Sequence, residues 1–365
     1  MLLISADSHV VEPIDLWEKH LAKQFGDKVP RKFVGRYKGE EGTWFVTGSA
    51  AVPESVRDDP AKTAQENADM YLAGYDPAQR MKCMEADGIA AEVLHTTRGL
   101  FFMLLLEDRE LLRACAQVYN DWLAEYCSHA PKRLLGVAMI PLDDPDWAVK
   151  ELERVTRKGL RGVMINTAPP GRPPLRNAIY DGFWAACAER RIPVTLHVGQ
   201  GVKEDPFTFQ GERRQESPGA LLECLWEGGL MLSNDFIFGG IFDRFPKLTV
   251  SLAEFECSWA PYFIGVMNNV QDGMAPVFGL PPIKQRAMDY LRQNVCLTFL
   301  NDPYAVMTAK VVGADILAWA SDFPHIRNPY PRSAESFAAL VAAATPQEQA
   351  LMAGQNAKRI YNIEL

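Results

Sequence analysis

Short, almost wholly apolar runs punctuate this chain, and most are followed by a stretch of helical periodicity. Eight of them read as strands, near residues 2–7, 89–95, 134–141, 161–166, 193–198, 248–254, 295–300 and 316–321. Runs without polar alternation belong to strands buried on both faces, which is how a parallel sheet covered by helices reads. Between them, Leu111, Leu112, Cys115, Val118, Tyr119 and Trp122 share one face of a helix expected over about 109–127, and residues 144–158 and 180–190 read as two more. Eight strand–helix units predict an α/β chain folded as a (β/α)8 TIM barrel rather than an open doubly wound sheet. Two stretches exceed the minimal repeat, about 20–80 after strand one and about 200–235 after strand five. Both follow barrel strands, so both are expected to fold over the mouth as caps within a single domain spanning 1–365.

Composition narrows the function. The 365 residues, 48% hydrophobic and 23% charged, are ordinary for a soluble globular enzyme and long enough to bury a sizeable core. A net charge of −8 with no Lys/Arg-rich run argues against nucleic acid as a partner. The seven scattered cysteines form no C-x-x-C pair, which suits reduced thiols rather than a disulfide framework. Neither a secretory signal nor an apolar run long enough to cross a bilayer is evident, so a cytoplasmic protein without a membrane partner is expected. Dinucleotide and phosphate-loop fingerprints are missing as well.

The candidate chemistry gathers at strand ends. Asp7 and His9 sit two residues apart at the end of strand one, and side chains i and i+2 of a strand share a face. His197 ends strand five in Thr-Leu-His-Val-Gly, and Asp322 ends strand eight in Ala-Ser-Asp-Phe-Pro-His. Singly, each has an ordinary explanation as a satisfied core histidine, a loop residue or a helix cap. Together, at the C-terminal ends of strands that a barrel brings to one face, two imidazoles and two carboxylates suit Zn²⁺, with Mn²⁺ or Fe²⁺ as alternatives, and leave room for water or substrate.

These segments resemble the amidohydrolase superfamily. Asp7 to Pro13, His197 and Ser321-Asp322-Phe323-Pro324-His325 carry the likeness, with Gly74-Tyr75-Asp76-Pro77, Arg80, Arg244-Phe245-Pro246 and Gln355 to Tyr361 in support. The branch it is most similar to is typified by 2-amino-3-carboxymuconate 6-semialdehyde decarboxylase. The resemblance implies that Asp7, His9, His197 and Asp322 hold a divalent metal. Asp7 stands where histidine is commoner, which tilts the set from Zn²⁺ toward Mn²⁺. Strand four ends in Asn166 rather than lysine, so one ion is expected instead of a bridged pair.

Many relatives end strand six with a histidine that acts as acid or base, and here Glu254 takes that place. Three roles stay open for it: proton transfer, an extra ligand, or an anchor for its loop. His325 is a further candidate for catalysis or for orienting Asp322, while His95, Arg98, Trp259 and Phe299 are candidates for binding substrate. The reading that follows is a metal-dependent enzyme acting on a small carboxylated aromatic or unsaturated compound, by non-oxidative decarboxylation. Hydrolysis of an ester, lactone or amide by metal-bound hydroxide, with Asp322 as general base, is the rival, and a non-catalytic binding protein on the same barrel is the third possibility. A homodimer or homotetramer is what the resemblance implies for assembly.

Overall fold

A computed structural model describes residues 2–37, 39–47, 50–53, 59–166, 172–199, 219–326 and 328–365. Its principal sheet has eight strands in the order β1 (Leu3–His9), β5 (Ile89–His95), β6 (Leu134–Met139), β7 (Gly162–Met164), β8 (Val194–His197), β9 (Val250–Ala253), β10 (Val295–Phe299) and β11 (Leu317–Trp319). Every pairing is parallel. All eight expected strands are present, mostly trimmed at their ends, and helices surround them as a (β/α)8 barrel requires. The first differs in extent, since β1 runs on through His9 and so carries Asp7 and His9 within the strand. A register shift between Ser5 and Ser8 reorients its last turn of pleat.

The seam between β1 and β11 is closed differently from the rest. No ladder joins them, but Asp322 N donates to Asp7 O at 3.0 Å and His9 N donates to Phe323 O at 2.7 Å. Below these, Ser5, Ser8 and Ser321 form a buried hydroxyl cluster, with Ser321 N donating to Ser5 Oγ. The barrel therefore closes at the same residues that carry the candidate chemistry.

Local sequence explains the helices that brace it. The helix Arg109–Ser128 is capped by Asp108, whose side chain accepts from Leu111 N, and it buries Leu111, Leu112, Cys115, Tyr119 and Leu123 at helical spacing. Pro145–Arg157 starts on the Asp144 cap with proline in its first turn. Pro77–Asp87 starts on Asp76 and stops at Gly88, whose φ of 72° favours glycine. The segment expected as a cap over 20–80 holds regular structure: a helix (Ala64–Tyr75) and a separate antiparallel sheet of β2 (Arg31–Tyr37), β3 (Glu40–Thr47) and β4 (Ala50–Pro53). Lys62 ties this segment to the loop after β11, donating to Asp59 and to Asn328 O. Of the second expected cap, residues 200–218 lie outside the described residues, and Gly219–Met231 is helical. Among the described residues six cysteines are free and buried, and no helix is long and apolar enough to cross a membrane.

Candidate metal centre and active site

Four of the chain's six histidines meet at the C-terminal end of the barrel, together with three carboxylates. His9 from β1 and His197 from β8 are fully buried, and each ring is fixed through Nδ1 by a backbone carbonyl. His9 Nδ1 lies 2.7 Å from Thr96 O, and His197 Nδ1 lies 3.0 Å from Val198 O. A carbonyl can only accept, so Nδ1 carries the proton in both rings and each Nε2 presents a lone pair. Those two Nε2 atoms face one another 3.2 Å apart.

Two facing lone pairs in a buried pocket call for a cation between them. Their separation is close to what two nitrogens give when each lies about 2.0–2.1 Å from one tetrahedral ion. Carboxylates complete the ring. Asp7 Oδ1 lies 3.7 Å from His9 Nε2 and 3.9 Å from His197 Nε2, and Asp322 Oδ1 lies 3.6 Å from His9 Nε2. Asp7 Oδ2 is buried and has no hydrogen-bond partner. Asp7, His9 and His197 each present one donor atom within 4.8 Å of the others, and so do His9, Asp322 and His325. The donor set and the orphaned oxygen fit a divalent ion.

Electrostatics favour the same occupant. Burial keeps His9 well below its ordinary pKa, with His325 and His197 adding to the effect, and burial likewise holds His197 down at about 4. Both rings are thus neutral at neutral pH, as ligands must be. Burial pushes the Asp7 carboxyl up, but His95 and His197 outweigh it and leave Asp7 below the usual range. Glu254 goes the other way. Burial and the neighbouring Asp322 and Asp7 carboxylates push it well up. Its Oε2 lies 3.6 Å from His197 Nε2, and about a third of its side chain (32%) is open to the mouth.

Asp322 and His325 work as a pair. Thr97 Oγ1 donates its only proton to Val10 O, so His325 Nε2 must donate to Thr97, at 3.0 Å. His325 Nδ1 is 2.8 Å from Asp322 Oδ1, and one further proton is held between them. Burial first and then the Asp322 charge act on His325, whose pKa ends raised, and burial raises Asp322 against the pull of His325. The His325 ring also lies against His9, with centroids 4.0 Å apart and the planes tilted by 32°.

The four residues expected to bind substrate are placed differently. His95 has no exposed surface, and its Nδ1 sits 2.9 Å from Asp7 Oδ1, where it buttresses that carboxylate from behind. Arg98 is 2% exposed, with its Nη1 donating to Glu12 O and its backbone N to Glu12 Oε2, so the guanidinium is held inside the wall by a local carbonyl. Phe299 is 1% exposed and packs in the core. Trp259 is half-buried and donates from Nε1 to Glu256 O. In this conformation packing of the wall buries nearly all of Arg98 and Phe299.

Sequence reasoning named Arg80 only within the family likeness and missed its supporting role, as it did that of Thr96. Arg80 is fully buried, pairs with Glu92 at 2.5 Å, donates to His9 O at 2.7 Å and stacks over Phe323, so one guanidinium spans β1, β5 and the loop after β11. Thr96 contributes a carbonyl, which carries no side-chain signal at all.

Comparison with known proteins fits this geometry. The amidohydrolase family profile matches residues 97–363, a span that includes His197, Glu254, Asp322 and His325 and begins after Asp7 and His9. The gamma-resorcylate decarboxylase of Rhizobium sp. (strain MTP-10005) is 27% identical over 292 residues, covering 75% of this chain and 85% of that one. Among solved structures, an amidohydrolase from Mycobacterium avium subsp. paratuberculosis superposes with a TM-score of 0.77 at 20% identity, over 99% of both chains. The 5-carboxyvanillate decarboxylase of Novosphingobium aromaticivorans, solved with manganese and 4-hydroxy-3-methoxy-5-nitrobenzoic acid, has a TM-score of 0.71 at 20% identity, over 99% of this chain and 96% of that one. With the family profile spanning most of its length and the barrel carrying a metal-competent cluster at its C-terminal end, this chain belongs to the amidohydrolase family.

Proposed function

We propose that this protein is a metal-dependent, non-oxidative decarboxylase of a small aromatic acid, working as a single barrel domain with Asp7, His9, His197 and Asp322 as its metal ligands. The observation that carries the reading is the pair of neutral imidazoles whose Nε2 lone pairs face each other at 3.2 Å beside Asp7 and Asp322. Support for the reaction comes from relatives that are named decarboxylases of phenolic acids. Two carboxylates in the set favour Mn²⁺ over the Zn²⁺ that the histidines alone would suggest, and manganese is the ion in the carboxyvanillate enzyme.

When bound, the ion supplies Lewis-acid attraction for a substrate carboxylate and a neighbouring oxygen. The chain does the rest. Thr96 and Val198 hold the histidines in one tautomer, and His95 fixes Asp7. Glu254, whose carboxyl is pushed up by burial and by the neighbouring Asp322 and Asp7 carboxylates, delivers a proton from Oε2 to the ring carbon bearing the carboxylate. The carbon–carbon bond then breaks, carbon dioxide leaves with restored aromaticity on the ring, and the exposed side of Glu254 recovers a proton from water. His325, paired with Asp322, keeps that ligand oriented.

The test is direct. Protein loaded with Mn²⁺ and given 2,6-dihydroxybenzoate should release carbon dioxide and the corresponding resorcinol. Cleavage of an aryl ester or lactone without release of carbon dioxide from any of several phenolic acids would move the assignment to a hydrolase. Protein that takes up no stoichiometric metal would leave only a binding role.

A further inference from the structure

Glu254 is held in a conformation that a glutamate seldom adopts, with φ at +65°, and two residues later Glu256 has φ at +56°. Left-handed backbone at non-glycine residues persists only where the surroundings over-determine it. The surroundings here are two carboxylates that work reciprocally across neighbouring loops. Glu256, after β9, accepts from the loop after β10: Oε2 takes Leu300 N at 3.0 Å and Oε1 takes Asn301 N at 3.3 Å. Asp302, after β10, accepts from the loop after β9: Oδ2 takes Ser258 N at 2.7 Å, Cys257 N at 3.0 Å and the Cys257 thiol at 3.4 Å. Its Oδ1 takes Tyr304 N at 2.9 Å, which keeps its own loop in shape. Trp259 Nε1 adds a bond to Glu256 O, and Glu254 N donates to Thr298 Oγ1 at 3.0 Å.

Backbone donors of each loop thus point at an acid carried by the other. Asp302 is 3% exposed, and a buried carboxylate stays only where several donors satisfy it. The turn they lock begins at the one side chain of β9's end whose carboxylate reaches the ligand cluster. We propose that Glu256 and Asp302 are positioning residues, a reciprocal carboxylate clamp that fixes the Glu254 carboxylate over the metal pocket. This rests on the reading of Glu254 as the proton donor.

The test uses the full-length Mn²⁺-loaded protein with Glu256→Ala, Asp302→Ala and Glu254→Gln, singly and combined, and with Glu256→Gln and Asp302→Asn should an alanine variant not fold. In crystal structures of the clamp variants Glu254 should leave its place beside His197 while His9 and His197 stay, and manganese content should be unchanged. With 2,6-dihydroxybenzoate, each clamp variant should lose about 10- to 100-fold in kcat, as supporting-residue mutations do. KM should stay within about twofold, since binding is not what the clamp serves. In the Glu254→Gln background the same substitutions should cost nothing further, because a residue acting only through Glu254 has nothing left to position. A Glu254 that stays in place in both clamp variants overturns the proposal, and so does an equal loss of kcat in the two backgrounds. Full turnover by Glu254→Gln alone would instead remove the proton-donor reading, and the crystal structures would still decide whether the clamp positions the side chain.

Discussion

A single proton on each of two imidazoles decides what this site can hold. Thr96 O and Val198 O take the Nδ1 protons of His9 and His197, so both Nε2 atoms turn their lone pairs inward. Removing one ring by His197→Ala should abolish stoichiometric metal uptake, read by elemental analysis of the purified protein. Truncating its neighbour's support by His95→Ala should weaken metal affinity by only about 10- to 100-fold, because Asp7 then loses its orientation but keeps its oxygens. Glu254→Gln should lower kcat by about 10²- to 10⁴-fold with metal content intact. The clustering of the candidate ligand residues was legible in the sequence because each sits where an apolar run stops, and strand ends of a barrel share one face. Glu256, Asp302 and the Thr96 carbonyl were not, because a left-handed glutamate and a backbone oxygen leave no pattern in residue order.

Outside the candidate ligand cluster, Asp87 offers a separate test of how burial acts on an acid. Burial pushes its carboxyl up to about 6, against the pull of the Ser333 hydroxyl and amide that it accepts from. Its place in the last turn of a helix adds to the cost of its charge. A folded-state pKa above the unfolded value of 3.8 means that the folded chain binds the extra proton. The stability this contributes is fully present below about pH 4 and is lost as pH rises through about 6, a change of up to about 3 kcal/mol. Relative to wild type, Asp87→Asn should therefore gain stability between pH 4 and pH 7, measured as urea midpoints across that range. A difference that is flat or runs the other way would show the carboxyl to be ionised throughout.

At the scale of elements, the barrel strands were readable and the accessory sheet was not. β5 and β6 are almost continuously buried, so their apolar runs announce themselves. β2 is mostly exposed, Arg-Lys-Phe-Val-Gly-Arg-Tyr carries no clean two-residue alternation, and its residues read as charged loop. What joins elements is also hidden from periodicity. Arg80 bonds to β1 and to the loop after β11 while paired with Glu92 of β5, so it fastens the pieces that bear Asp7, His9 and Asp322. Arg80→Met should cost about 3–5 kcal/mol, because Glu92 is left buried and uncompensated. Chemical denaturation gives that number. A loss below about 1 kcal/mol would mean that water reaches Glu92.

For the whole molecule, the candidate metal site and the closure of the barrel share one set of residues. An ion that binds only the native state adds about 2.7 kcal/mol when free metal exceeds its dissociation constant a hundredfold. Chelation should therefore lower the melting temperature reversibly, and His197→Ala should melt at the same temperature with or without chelator. The seam between β1 and β11 gives this coupling a location. With no strand ladder there, the wall is held shut by the amides of Asp322 and His9, which flank the candidate ligands. A metal in the pocket would act as a clasp on the garment's last fastening, linking the chain's first strand to its eighth. Hydrogen exchange should show it: loading with Mn²⁺ should slow the amides of His9 and Asp322 far more than those of β6 or β7, which are zipped on both sides already.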